Sequence, residues 1–237
     1  MINIFNVSSP LHFNRTVFKN TVLHHPETES SWSSIVFVGL YNPSSGAVNI
    51  YFNNLLFTNN TATTAGSFIY AINTETLNRV LNIHLNNITA YNNLRKKDHF
   101  GSTRTEFVKV DNAKLYTSGF NNFSYNFGTV FGISGSDIYL NGQLNIIGNN
   151  GYMGTGFKVQ GLSYFYLFNE LNATFINNTA LTIGGAIYAV ADDSNNCMFQ
   201  SNTNNITNIK VTFINNTALE AGSSIYSNKI YECEAFP

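Results

Sequence analysis

The chain has 237 residues, 11% charged and 43% apolar, with a formal net charge of −1. That balance excludes a disordered chain, which combines low hydrophobicity with high charge, and a nucleic-acid binder, which needs a concentrated basic face to release counterions. Asn is the outlier at 38 positions, about three times ordinary usage, beside 20 Phe and 13 Tyr.

Residues 1–47 read as an irregular first unit. The N-terminus has no basic stretch leading into an apolar one, so no signal peptide is visible. The choices left are a cytosolic protein and a fragment or incomplete copy of a secreted one. Phe18-Lys19-Asn20-Thr21-Val22 looks like a later turn with one residue missing. A polar insertion, His24 to Ser34, precedes the apolar strand Ile35 to Val38. No run of eighteen apolar residues occurs, so no transmembrane segment is expected.

From Phe57 a motif becomes plain. Phe57 to Ala71 reads FTNNTATTAGSFIYA, Phe175 to Ala189 reads FINNTALTIGGAIYA, and Phe213 to Ser227 reads FINNTALEAGSSIYS. Between the first copy and the second, Leu81 to Leu85 alternates like a half-buried strand. Tyr91-Asn92-Asn93 then stands in for the Phe turn, and Leu94 to Glu106 reads as a charged loop thrown out from the stack. Further turns fall at Phe123 and Ile147, giving anchors at 18, 57, 91, 123, 147, 175 and 213, spaced by 24 to 39 residues. Such spacing marks a repeat array. Gly- and Asn-rich turns between short aromatic and β-branched strands specify an all-β fold, a parallel β-helix over 1–237 as one domain. A β-propeller is the alternative, disfavoured because the unit lengths vary.

Stacked coils place equivalent residues in columns. Phe57, Phe175 and Phe213 are expected to form an interior column, and Asn60, Asn178 and Asn216 an amide ladder. Gly66, Gly184 and Gly222 are expected at a turn closed to other residues, with Gly185 completing Gly-Gly-Ala-Ile. Ile69, Ile187 and Ile225 should point inward, and Tyr70, Tyr188 and Tyr226 outward or into a neighbour.

The Phe-x-x-Asn signature at Phe57, Phe123, Phe175 and Phe213, with Gly-Gly-Ala-Ile at Gly184 to Ile187, resembles the repeats of the chlamydial polymorphic outer-membrane proteins. The resemblance is densest over residues 165–233. It implies a right-handed parallel β-helix with an adhesive or surface-coat role. The leader and the C-terminal membrane barrel of that family are not seen in this sequence.

Cys197 and Cys233 follow their Phe anchors by 22 and 20 residues, nearly the same place in successive coils. Coils lie about 4.8 Å apart, within disulfide reach, and we favour a disulfide and an oxidising compartment over two free thiols. Asn-x-Ser/Thr occurs at Asn6, Asn14, Asn59, Asn87, Asn122, Asn172, Asn177, Asn205 and Asn215. Composition alone yields about seven, so these sites permit glycosylation without arguing for it. Asp192-Asp193 is the one adjacent carboxylate pair. We read it as a solvated loop pair, the alternative being a glycan-cleaving acid–base pair. His12, His24, His25, His84 and His99 show no metal or triad spacing, and no phosphate loop or dinucleotide fingerprint is present. The resulting expectation is a non-enzymatic extracellular or cell-surface module, structural or adhesive, without cofactor or metal. It would bind a glycan or protein partner and continue end to end with further repeats. A polysaccharide hydrolase or lyase is the alternative, and a bare fragment of a larger repeat protein the third reading.

Overall fold

The structure, a computed structural model, describes residues 2–6, 9–23, 33–41, 46–62, 66–74, 80–95, 106–168, 170–191, 199–201 and 208–228. Every regular element among them is a strand. The chain winds in coils, each laying one strand on each of three faces. The first face holds eight strands, from Ile2–Phe5 to Ile225–Ser227. The second holds seven, from Leu11–Asn14 to Phe199–Ser201, and the third seven, from Val17–Lys19 to Lys210–Ile214. Two-residue strands such as Thr61–Ala62 and Thr179–Ala180 follow the third face. Each strand pairs in parallel with its equivalents one coil before and after, as Leu81–Asn86 does with Val48–Asn53 and Lys114–Ser118. This is a parallel β-helix. A propeller, built of separate four-stranded blades around a channel, does not give continuous parallel sheets of this kind.

The strands form where apolar and polar residues alternate, because alternate side chains of a strand face opposite ways. In Val48–Asn53 and Leu81–Asn86 the odd positions of one and the even positions of the other turn out to be equivalent. Ile50, Phe52, Ile83 and Leu85 are buried, while Tyr51, Asn53, His84 and Asn86 are partly exposed. The third-face anchors pair as Phe18, Phe57, Ala90, Phe123, Ile146, Phe175 and Phe213. Two expected anchors therefore move by one residue. Ala90 and Ile146 point into the core, and Tyr91 and Ile147 face outward. Nor is a residue missing at Phe18: Lys19 pairs with Thr58 and Val22 with Thr61, so Thr21 stands opposite Asn60.

The interior column is consequently not a continuous run of rings. Phe18 stacks on Phe57 at 4.8 Å and Phe175 on Phe213 at 4.9 Å. Between them Ala90 leaves room that Phe107 enters from the first face, edge-on to Phe57 at 5.1 Å and to Phe123 at 5.7 Å. Ser33–Leu40 and Glu106–Asp111 are strands, so the polar insertion ends before Ser33 and the charged loop is bounded by Leu94–Arg95 and Glu106.

After the third face the chain turns through a residue with positive φ: Asn20, Asn59, Asn92, Tyr125, Gly148, Asn177 and Asn215 lie at 50 to 62°. Except after Asn20, where it is Thr21, the residue that follows is the ladder Asn. Asn60, Asn93, Asn126, Asn149, Asn178 and Asn216 are all buried. Asn93 shows the rule. Its Oδ1 accepts from the backbone N–H and Nδ2 of Asn60, at 3.1 and 2.9 Å. Its Nδ2 donates to Asn126 Oδ1 at 2.8 Å and to Phe57 O at 3.2 Å. All four hydrogen-bonding positions of the amide are used. Of the glycines, Gly184 and Gly222 have φ of 65° as expected, whereas Gly66 opens strand Gly66–Asn73 opposite Ser33. A Cβ on Gly185 would collide with the Ser223 and Thr217 carbonyl oxygens of the next coil.

Two neighbours, Asn92 and Asn93, should therefore respond differently to substitution. Asn93→Ala strands the buried N–H groups of Asn60 and should cost about 3 kcal/mol in urea unfolding. Asn92→Ala should cost about 1 kcal/mol through its left-handed backbone, and Asn92→Gly almost nothing. Equal losses for the two alanine variants would refute this division of labour.

Candidate functional site

The second face carries the most ordered exterior feature of the molecule. Its outward positions align in register as His12, Tyr51, His84, Tyr116, Tyr139 and Tyr166. The six rings stack face to face, with centroids 4.6, 4.4, 4.7, 4.5 and 4.8 Å apart and planes within 16° of parallel. Strand spacing sets this distance: one ring per coil at about 4.8 Å leaves a flat side chain no other way to pack.

Amides flank the rings. On one side Asn53 donates to Asn14 at 2.9 Å and Asn86 to Asn53 at 3.5 Å. On the other Asn82 donates to Asn49 at 3.1 Å. His84 Nε2 lies 3.1 Å from the same Asn49 oxygen, a contact that requires the ring proton on Nε2. Burial between Tyr51 and Tyr116 holds the His84 pKa below its ordinary value. Tyr116 is shifted upward, by burial first and by the Asp137 carboxylate second. Both rings are thus neutral near pH 7. Their faces cover one another, so the stripe presents ring edges, phenol oxygens and amides, with Lys114 and Asp137 beside Tyr116 and Tyr139, a surface suited to hydrogen bonding.

The first face carries the close ion pairs. Lys158 Nζ is 3.4 Å from Glu106 Oε1, and Lys109 Nζ is 3.4 Å from Asp111 Oδ2 while lying 4.8 Å from the Tyr70 ring centre. Tyr70, expected to face outward or into a neighbour, takes the second course: it is only 4% exposed and donates to Asp111 at 2.9 Å. Its pKa is raised, chiefly by burial and then by Asp111.

The repeat residues meet as the motif anticipates. Phe175 pairs with Phe213, Ile187 with Ile225, and Tyr188 with Tyr226, whose rings stack at 5.7 Å. Asn59, Asn177 and Asn215 are exposed turn residues with positive φ, which accounts for their recurrence ahead of Asn-Thr without any glycan. Asn172 is exposed, Asn122 half-buried, and Asn87 is engaged, accepting from Phe120 N–H at 2.8 Å and donating to Asn54 at 3.1 Å. Asp192, Asp193, Cys197, Asn205 and Cys233 lie outside the described residues. Among the described residues no cluster of His, Cys, Asp and Glu could hold a metal ion, and no helix is long and apolar enough to cross a membrane.

The ring stripe is the feature that motif reading misses. Its signal is an aromatic or His two residues after each second-face strand's outward polar residue, as in Asn49-Ile50-Tyr51, Asn82-Ile83-His84 and Lys114-Leu115-Tyr116. No protein-family model, curated protein or solved structure matches this chain.

His84 makes the stripe sensitive to acid. With its folded pKa below the unfolded value of 6.5, the unfolded chain takes up the proton first as pH falls. Stability contributed by neutral His84 should be complete above that value and drain away below it. His84→Tyr, which fits the stack, should lose less stability between pH 7 and pH 5 than the parent. Parallel pH profiles of the two proteins in urea would count against this.

Proposed function

We propose that this protein is a non-enzymatic extracellular or cell-surface β-helix module, structural or adhesive, whose second face binds a glycan. The observation that carries the reading is the continuous stripe of six stacked rings, the first three of them flanked by hydrogen-bonded amides. Such a stripe repeats a ring edge at every coil, flanked by amides in the first coils and by Lys114 and Asp137 in the next two, which suits an extended, hydroxyl-rich chain. Tyr edges give rigid contact area at low entropic cost, and a β-helix face offers the length for many weak contacts in series. A protein partner would use the same stripe less fully. The repeat's likeness to the polymorphic outer-membrane proteins agrees with this role, as does the capacity to stack further coils end to end.

The test is retention on immobilised neutral polysaccharides. The parent should bind, the Tyr116→Ser, Tyr139→Ser double variant should bind at least about tenfold more weakly, and the polysaccharide should be recovered uncut. Recovery of shortened chains would transfer the protein to the enzymes; no retention would remove the glycan reading.

The oxidising location is proposed on the cysteines. Peptide mapping of unreduced protein should give a linked Cys197–Cys233 pair. Two alkylated free thiols would argue for a reducing compartment.

A further inference from the structure

A cleft of about 240 Å³ opens on the first face, away from the ring stripe. A single glycine admits one of its lining residues, Glu106. The outward column of this face runs Lys109, Gly132, Lys158, Tyr188, Tyr226. Gly132 contributes no side chain, so the column has a gap one coil high. Glu106 leans across that gap, and a Cβ on Gly132 would collide with it. There Glu106, 7% exposed, meets Lys158 at 3.4 Å, although 52 residues separate them in sequence. Tyr152 and Met153 wall the cleft on one side, and Thr129 and Gln160 add polar groups.

Tyr188 completes the site. One side of its ring is covered by Tyr226, nearly parallel at 8°. The other side looks toward the Lys158 coil and borders the cleft. An aromatic ring bordering a hydrogen-bonding charge pair gives the cleft apolar and polar halves.

We propose that this cleft is a binding site for one neutral sugar ring. Its volume falls below the range of pockets that hold drug-sized ligands, and its charge is balanced. A neutral polyol can accept from Lys158 and donate to Glu106 while the pair stays intact. An anionic or cationic ligand must displace one partner and leave the other uncompensated in a half-buried setting, which is costly. The C–H face of a pyranose lies against the Tyr188 ring where it borders the cleft, in the manner of other apolar–aromatic contacts. The site does not depend on the ring stripe, so either can fail alone.

The probes are methyl glucoside, methyl galactoside, methyl mannoside and N-acetylglucosamine, with galacturonate as the charged comparison, followed by protein-observed NMR. At least one neutral glycoside should bind with a dissociation constant of the millimolar order, moving the Tyr188 and Lys158 amide signals whether or not those of Tyr116 respond. Glu106→Gln, which keeps the shape of the carboxylate, and Tyr188→Ala should each weaken binding about tenfold or more. Shift mapping on the parent needs no variant and stands even if one misfolds. The proposal is overturned if no neutral glycoside moves those two signals, if galacturonate binds more tightly than all four, or if folded Glu106→Gln and Tyr188→Ala both bind as the parent does.

Discussion

A coiled chain has to turn a corner three times per coil, and at each corner the strand ladder stops supplying partners. The ladder asparagines answer this at the corner after the third face. Each one offers its Oδ1 to the backbone N–H of the ladder residue in the preceding coil, as Asn126 does for Asn93, Asn149 for Asn126, and Asn178 for Asn149. A buried N–H without a partner costs far more than a made hydrogen bond returns, so the side chain is dictated by the backbone's need. The other corners use the same device with different chemistry. Ser136 Oγ accepts from Ala113 N–H at 3.0 Å, Ser163 Oγ from Ser136 N–H at 3.0 Å, and Asn121 Oδ1 from Ile88 N–H at 3.0 Å.

This constraint fixes the coil-to-coil register, and everything exterior inherits it. Once Asn93 is locked to Asn60 and Asn126, Leu81–Asn86 can pair with its neighbours only in the observed alignment, and His84 must lie between Tyr51 and Tyr116. A slip of one residue would turn Ile83 and Leu85 to solvent and scatter the rings. The stripe on the second face and the cleft on the first are thus by-products of one internal alignment. They differ in what the outward columns happen to contain. Unbroken aromatics give a closed stack; a column interrupted at Gly132 gives a hollow with charge across it.

Core packing tolerates more variety than the corners do. The column that begins with Phe18 and ends with Phe213 accepts Ala90 and Ile146, because Phe107 fills the space beside the first and Phe157 lies near the second's neighbour Phe175, at 6.2 Å. Apolar volume can be supplied from any face, since burial is non-directional. An amide's donors and acceptors cannot be, which is why six consecutive coils keep Asn at the corner while Phe comes and goes.

The sequence by itself determined the class of fold, the ladder members Asn60, Asn178 and Asn216, and the turns at Gly184 and Gly222, because each is a local need that recurs as a motif. It misplaced the anchors at 91 and 147 by one residue, where no Phe marked the inward position and Tyr91 and Ile147 are as apolar as the residues beside them. The ring stripe and the Glu106–Lys158 cleft were decided only by the tertiary structure. Their members lie 23 to 52 residues apart, in coils of unequal length, and only hydrogen-bonded register says which residue of one coil stands over which residue of the next.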